Sequence, residues 1–364
     1  MNNKKVLFLT LHTFSLTGGI EKVCRAFAKV LKDFTLGGSI KDYQVLSMYD
    51  NIADSNYVDA KYFTGFKSSK ISFAFQAIKS GAAADVIVLS HINLLIFAWL
   101  IKKFSPKKRI ILFAHGIEIW GKLSSWKRNF LRKSVEILAV SHYTGQKVHE
   151  IHQVPTENIK VLNNCLDPFF KVPDTYEKPQ RLIKRYNLKA DSKVLFTLSR
   201  LSSAEQYKGY DKVMETMAEL PDHIVYILGG KADVEEEQSI NRLIAENNLQ
   251  GRVILTGFIA DDELIDHYLL ADVYVMPSTG EGFGISFIEA AACGRRSITG
   301  NQDGSNDAIL HGKLGQSINP LDKMALKNAI IEELHEGYRP EVLQSLCLTE
   351  FGFERYKSKI SDIL

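Results

Sequence analysis

The amino-acid sequence predicts an α/β protein of two doubly wound domains, each built on a parallel sheet with helices on its faces. The length of 364 residues exceeds the usual size of one domain. Short apolar runs alternate along the chain with longer amphipathic segments, which is typical of βαβ units. A polar stretch at residues 171–180, with two prolines, interrupts this alternation and suits a linker between two similar halves.

The apolar runs predict five strands in each half. The first run is short and lacks a small-residue cleavage site, so it predicts a strand and not a signal peptide. No run approaches the ~20 residues that span a bilayer. The predicted domains are residues 1–170 and 171–345, and residues 346–364 form a C-terminal helix expected to pack back on the first domain. The predicted strands are residues 6–10, 45–47, 86–90, 110–114 and 137–140, then 194–198, 224–228, 253–256, 273–277 and 297–299.

Charge is divided unevenly between the two halves. The formal net charge is +3, but residues 1–170 carry +11 and residues 171–364 carry −8. This division favours an anionic partner for the first half, either a membrane surface or a phosphorylated acceptor. An uneven surface charge without function is the open alternative. Four widely spaced cysteines indicate neither a zinc site nor a disulfide framework, which fits a reducing cytoplasm.

Two carboxylates, Glu281 and Glu289, stand with seven residues between them across a loop that runs into a helical pattern. Gly282 and Gly284 permit close approach of the backbone, and a helix N-terminus offers N–H donors to an anion or a sugar hydroxyl. The alternative is an ordinary helix with an acidic first turn.

Two cations follow the predicted strand at 194–198. Arg200 comes directly after the strand end, and Lys208 precedes the next helical pattern. An arginine fork and a lysine point charge can neutralise a departing diphosphate. Each cation alone could equally be a surface residue, and Glu205, which lies between them in sequence, makes the register of Lys208 less secure.

Two further motifs lie in the first half. Gly18 and Gly19 form a loop that opens a helix and could present N–H groups to a phosphate, although the G-x-G-x-x-G dinucleotide motif is absent. His115 follows the strand at 110–114 and is expected at the strand end. An ordinary turn and a histidine satisfied by nearby backbone are the alternatives.

Together these motifs resemble the retaining glycosyltransferases of family 4, which carry an E-x7-E motif. The resemblance implies a GT-B fold, in which two Rossmann-like domains face a cleft. It assigns Glu289 to the nucleotide ribose, Glu281 to hydroxyls of the donor sugar, and Arg200 and Lys208 to the diphosphate. It also implies a donor-site role for His115 and donor contacts at Gly18, Gly19, Gly282, Phe283, Gly284 and Ile285.

Two positions depart from the family pattern. Cys165 replaces the usual glycine of an Asn-Gly-Val-Asp segment, and residues 300–308 replace the commoner Gly-Gly-x-x-Glu loop. The second departure puts the identity of the donor in doubt, and not the fold.

The expected activity is retaining transfer of a hexose from a nucleoside diphosphate sugar to an acceptor hydroxyl. The acceptor is expected to be a lipid-linked or cell-surface glycan intermediate of polysaccharide biosynthesis. No cofactor beyond this co-substrate, no nucleic-acid partner and no metal are expected, since the sequence contains no D-x-D triplet. A sugar-nucleotide epimerase of related fold and a catalytically idle binding subunit are the alternatives.

Basic segments in the first half predict peripheral docking on an anionic membrane, at the inner face of the cytoplasmic membrane. Residues 122–133 combine cations with Trp126, Phe130 and Leu131, as an interfacial helix does. The alternative is that Phe130 and Leu131 pack on the sheet. The cations of the other segment are Lys102, Lys103, Lys107, Lys108 and Arg109.

Overall fold

Residues 4–364 are described by the computed structural model and divide into two units. The first unit runs to Phe169 and includes Phe351–Leu364, and the second is Phe170–Glu350. Each unit contains one parallel sheet with its own hydrophobic core. The two parallel α/β domains predicted from the sequence are therefore confirmed.

The sheet of the first unit has seven strands in the order β3-β2-β1-β4-β5-β6-β7. All neighbours pair in parallel. The central strand at Val86–Leu89 is buried along its whole length, because helices cover both faces of the sheet. The strands are β1 Lys5–Thr10, β2 Asp42–Ser47, β3 Phe63–Gly65, β4 Val86–Leu89, β5 Arg109–Ala114, β6 Glu136–Ala139 and β7 Ile159–Val161.

The helices of the first unit are amphipathic segments that cover this sheet. In the first of them Val23, Phe27, Val30 and Phe34 recur at intervals of three and four residues and are buried along one face. The helices are α1 Gly19–Leu36, α2 Lys70–Ala83, α3 Leu95–Phe104, α4 Ile117–Trp120, α5 Ser125–Ser134 and α6 His142–His152.

The second unit repeats the same plan with six parallel strands in the order β10-β9-β8-β11-β12-β13. The strands are β8 Lys193–Leu198, β9 Ile224–Gly229, β10 Val253–Gly257, β11 Val273–Met276, β12 Ser297–Gly300 and β13 Gly315–Ile318. The helices are α7 Gln180–Arg185, α8 Tyr210–Met217, α9 Val234–Glu246, α10 Asp261–Leu270, α11 Ile285–Ala292, α12 Ser305–Ala308, α13 Lys323–His335 and α14 Pro340–Phe351.

The helical pattern at the end of the sequence forms two helices. It is interrupted at Gly352, and the last helix, α15, is Phe353–Ile363. Tyr356 and Ile360 lie one turn apart on α15 and are buried, and α15 packs against α1 within the first unit. Residues 346–350, which the sequence assigned to the final helix, lie in the second unit.

None of the helices in residues 4–364 is both long and apolar enough to cross a bilayer. In each sheet the parallel strands end at the same edge, the carboxyl edge. Ligands of open α/β sheets collect at that edge. Arg200, His115 and the loop that carries Glu281 lie beyond this edge, whereas Glu289 lies within the helix α11.

Candidate active site

Lys208 and Glu281 form an ion pair at the carboxyl edge of the second sheet. Lys208 Nζ lies 2.5 Å from Glu281 Oε1, and the two side chains are only 15% and 13% exposed. Burial disfavours the charge of Lys208, but Glu281, Tyr207 and Glu205 together outweigh this effect and raise the pKa of Lys208 above its ordinary value. The lysine therefore stays positively charged at neutral pH.

The loops that carry Lys208 and Glu281 approach each other closely, at a glycine and through a backbone hydrogen bond. Gly209 has a φ of +76°, and a Cβ there would lie 2.5 Å from the carbonyl oxygen of Pro277. The backbone N–H of Thr279 donates to the carbonyl of Tyr207 at 2.9 Å. A side chain at position 209 would push Lys208 away from the strand end.

Asp303 anchors the loop of Glu281 by accepting backbone hydrogen bonds, a role that sequence reasoning missed. Its carboxylate is 2% exposed and accepts from the backbone N–H groups of Glu281 and Ser305 at 2.7 and 2.9 Å. Gly304 in turn donates to the carbonyl of Glu281. Burial raises the pKa of Asp303 to about 6, although these hydrogen bonds oppose the change.

The glycine loop after Glu281 opens α11. Gly284 has a φ of +88° and precedes the first helical residue, Ile285. The side chains of Phe283 and Ile285 are buried. Of the predicted donor contacts at 282–285, those of Phe283 and Ile285 must therefore come from the backbone and not from their side chains.

Glu289 lies within α11 and is 2% exposed. The hydroxyl of Tyr268 donates to its Oε2 at 2.9 Å. Burial and the charge of Glu289 raise the pKa of Tyr268 well above its ordinary value, so the phenol stays protonated and keeps this bond. Tyr268 therefore fixes the orientation of the carboxylate predicted to bind the ribose.

Arg200 does not reach Glu281 directly and instead pairs with Glu205. The Arg200 side chain is 74% exposed, and its guanidinium contacts Glu205 Oε1. The other oxygen of Glu205 lies 3.8 Å from Lys208 Nζ. A protein carboxylate thus lies between the two cations that the sequence assigns to a diphosphate.

In the first unit, His115 follows β5 and is neutral. Its Nε2 lies 2.9 Å from the carbonyl oxygen of Ser90, and since a carbonyl can only accept, this nitrogen carries the proton. Burial lowers the pKa of His115 to about 4. Its Nδ1 is therefore a hydrogen-bond acceptor at neutral pH, suited to a hydroxyl.

The glycine loop before α1 is anchored by Asp50, a second residue that sequence reasoning missed. Asp50 accepts from the backbone N–H groups of Thr13 at 2.6 Å and Ser15 at 2.9 Å. Burial would raise the pKa of Asp50, yet these donors and Ser47 lower it below its ordinary value. Gly18 is the residue before α1, and Gly19 is its first helical residue.

The structure brings together some of the predicted residues and leaves others apart. Lys208 and Glu281 are in contact, and Glu289 lies on the helix that their loop begins. Arg200 joins them only through Glu205. Gly18, Gly19 and His115 belong to the other unit. Asp50 and Asp303 each stand three residues past a strand end, and that position is the signal that could have identified them.

Two family models match the chain, one in each unit. The model described as Glycosyltransferase Family 4 matches residues 52–169, and the one described as Glycosyl transferases group 1 matches residues 179–345.

Curated relatives and a solved structure agree with these matches. The GDP-mannose-dependent alpha-(1-6)-phosphatidylinositol monomannoside mannosyltransferase of Mycolicibacterium smegmatis is 29% identical over 247 residues, which cover 64% of this chain and 62% of that protein. The serotype-specific mannosyltransferase WbdA of Escherichia coli is 30% identical over 171 residues, which cover 45% and 20%. The matches therefore span less than two thirds of either relative.

HepE of Anabaena in complex with UDP superposes with a TM-score of 0.80 at 19% identity, over 99% of both chains. This similarity confirms the predicted GT-B fold.

Asp303→Asn should lower donor-dependent turnover about tenfold or more, because the amide NH2 would face one of the two backbone N–H groups and lose a charge-assisted hydrogen bond. In the parent protein, turnover should fall as the pH drops through about 6, where Asp303 gains a proton. Its raised pKa has the opposite effect on folding: the stability that it contributes is lost as the pH rises through about 6. Rates between pH 5 and 8 test this.

The matched control for that change is Asp272→Asn at the opposite edge of the same sheet. Asp272 also accepts from a backbone N–H, that of Val194 at 2.7 Å. The Asp272→Asn variant should have a lower melting temperature but the same pH profile of turnover as the parent. An unchanged acid limb in the Asp303→Asn variant would contradict the anchoring role.

Glu205→Gln should tighten the binding of free nucleoside diphosphate, several-fold to about tenfold, because it removes a negative charge from between the two cations predicted to contact the diphosphate. Isothermal titration calorimetry measures this effect. Glu215→Gln, at an exposed ion pair on α8, is the control and should leave the affinity unchanged. Weaker binding in Glu205→Gln would show that the carboxylate supports the site and is not displaced.

Proposed function

This chain belongs to the family 4 glycosyltransferases, and we infer that it transfers a hexose from a nucleoside diphosphate sugar to an acceptor hydroxyl with retention at the anomeric carbon. The observation that carries this inference is the buried contact between Lys208 and Glu281. A lysine held charged beside a carboxylate supplies what the reaction needs, a fixed cation for phosphate and an acceptor for sugar hydroxyls.

The reaction places its largest change of charge on the leaving group. The bond between the anomeric carbon and the phosphate oxygen breaks, and its electron pair passes to the diphosphate. The acceptor oxygen then bonds to the anomeric carbon, and its proton passes to an oxygen of the departing diphosphate. Lys208, and Arg200 once released from Glu205, stabilise the departing diphosphate. Glu281 orients the sugar through its hydroxyls.

The proposed reaction needs no metal ion. The two cations can neutralise the charge that a divalent ion would otherwise carry. Arg200 is 74% exposed and pairs with Glu205, whereas Lys208 is buried and held by Glu281. Activity is therefore expected to survive treatment with EDTA.

GDP-mannose is the proposed donor. Two sequence relatives at 29% and 30% identity are named as mannosyltransferases, and one of them as GDP-mannose-dependent. HepE was crystallised with UDP, but at 19% identity its likeness extends to the fold alone. The same relatives favour a lipid-linked or cell-surface glycan intermediate as the acceptor.

The donor proposal predicts that GDP-mannose and GDP bind more tightly than UDP-glucose and UDP, with or without EDTA. Lys208→Ala should weaken GDP binding about tenfold or more, since it removes a charge-assisted contact. Lys212→Ala, an exposed lysine on α8, is the control. Calorimetry with the four ligands measures this. Binding of none of them, or binding lost with EDTA, would contradict the proposal.

The acceptor distinguishes transfer from the alternatives. GDP release from GDP-mannose should require a glycan acceptor. A sugar-nucleotide epimerase would convert the donor alone, and an idle subunit would bind it without turnover. Proton NMR of GDP-mannose incubated with the protein, with and without a glycan acceptor, separates these outcomes.

We also propose peripheral docking on an anionic membrane, at the inner face of the cytoplasmic membrane. The apolar residues that would contact the membrane differ from those predicted from the sequence. Phe130 and Leu131 of α5 are buried in the core, so α5 does not present the interfacial face predicted from the sequence. Trp126 on α5 remains 39% exposed. It lies 6.1 Å, ring to ring, from the 37% exposed Trp99 of α3.

A lysine accompanies each of these tryptophans. Lys103 lies 5.6 Å from the Trp99 ring and Lys127 lies 5.9 Å from the Trp126 ring. Paired aromatic rings with adjacent cations suit the interface between headgroups and acyl chains. Each cation near an anionic surface contributes about 1 kcal/mol.

The membrane proposal predicts that the protein sediments with vesicles containing phosphatidylglycerol and that binding weakens with salt. The Trp99→Ala/Trp126→Ala variant should bind several-fold less. Phe258→Ala, which removes an exposed aromatic residue from the second unit, is the control. Equal sedimentation with pure phosphatidylcholine would leave a soluble acceptor as the better interpretation.

A further inference from the structure

We propose that a cavity at the amino edge of the first sheet is a binding site for phosphate groups. The cavity measures about 320 Å³ and lies where α3 meets β5 and where α5 meets β6. His115 follows the other end of β5, whose six residues span about 20 Å. The proposed site is therefore separate from the donor-site histidine, and it does not depend on the proposed reaction.

Cations from three parts of the sequence converge on this cavity. Among the described residues that line it, Glu136 is the only carboxylate. The lining cations are Lys102, Lys107, Lys108, Arg109 and Lys133.

Glu136 already forms an ion pair with one of these cations, Arg109. Its two oxygens accept from Arg109 Nε and Nη2, each at 2.6 Å. This bond lowers the pKa of Glu136 and raises that of Arg109. Arg109 also donates to the carbonyl of Ile363. The charges of Arg109 and Glu136 therefore neutralise each other, and the pair forms one wall of the cavity.

Four lysine charges remain without a carboxylate. Within the described residues, Lys107, Lys108 and Lys133 have no ion-pair partner, and Lys102 Nζ donates at 3.0 Å to the carbonyl of Lys108. Lysines also favour helix C-termini, and Lys102 and Lys133 lie in the last turns of α3 and α5. Two helix ends offset only about one unit of charge between them, so the cavity keeps a net charge of about +3.

The chemistry of the lining selects phosphate. Lysine ammonium groups are compact point charges that bind phosphate oxygens, and the volume fits a small anionic group. The apolar residues among the described lining are Ile110 and Val135, and no aromatic ring is present there to stack on a base. A phosphomonoester or diphosphate group fits this lining better than a nucleic-acid base does.

Titration with inorganic pyrophosphate tests the proposal. The measurement is made in an Arg200→Ala/Lys208→Ala background, so that the cations of the second unit do not contribute. Calorimetry should detect a site that Lys107→Gln/Lys108→Gln/Lys133→Gln weakens about tenfold or more. Within residues 4–364 these three side chains form neither a hydrogen bond nor an ion pair, and those of Lys107 and Lys133 are exposed.

The control variant changes Lys41, Lys67 and Lys79 to Gln, three exposed lysines of the same unit that lie outside the cavity. It should bind pyrophosphate like the parent. Equal weakening in both triple variants would overturn the proposal, because binding would then follow net charge alone. Absence of pyrophosphate binding at low salt would also overturn it.

Vesicles separate the two sources of the phosphate group. With phosphatidic acid vesicles, a selective loss of binding in the cavity variant identifies a lipid headgroup as the source. A selective loss with pyrophosphate alone identifies a soluble phosphorylated ligand. A loss in neither assay contradicts the site.

Discussion

The ion pair between Lys208 and Glu281 is the interaction on which the candidate site depends. Removing two charges from water costs free energy, and a buried pair recovers that cost only with good geometry and further hydrogen bonds. The fold supplies this geometry through two loops at one sheet edge, joined by the bond from Thr279 to Tyr207. A charge pair held at this cost is better explained by ligand binding than by stability.

The surroundings of the pair are built to keep it in place. Asp303 holds the backbone of Glu281, Tyr268 holds the carboxylate of Glu289, and Gly209 lets the lysine loop approach the strand end. Glu205 is the exception, since it contacts both Arg200 and the neighbourhood of Lys208. The charges of Arg200, Glu205, Lys208 and Glu281 therefore cancel one another, and a diphosphate bound as proposed would compete with Glu205 for the two cations.

The sequence predicted the fold well because parallel strands buried on both faces are continuous apolar runs. All ten predicted runs form strands. Three short strands were missed, and all three lie at sheet edges: Phe63–Gly65, Ile159–Val161 and Gly315–Ile318. Their sequences are too short or too polar to form a recognisable apolar run. These segments become strands because they pair with a neighbouring strand.

The site was less predictable, because its contacts join residues far apart in sequence. Resemblance identified Glu281 and Lys208, but no local pattern indicates that Asp303 binds the backbone of Glu281 or that Tyr268 holds Glu289. The interfacial prediction for α5 failed because apolar spacing alone does not tell which face of a helix lies inward. Phe130 and Leu131 face the sheet.

A double-mutant cycle between Lys208 and Glu281 tests the central claim most directly. The affinity for GDP is measured by calorimetry in the parent, in Lys208→Met, in Glu281→Gln and in the double variant. If the buried pair fixes the cation that binds the diphosphate, the two single effects will fail to add, with a coupling of about 1 kcal/mol or more. Additive effects, with GDP affinity in Lys208→Met close to that of the parent, would contradict it.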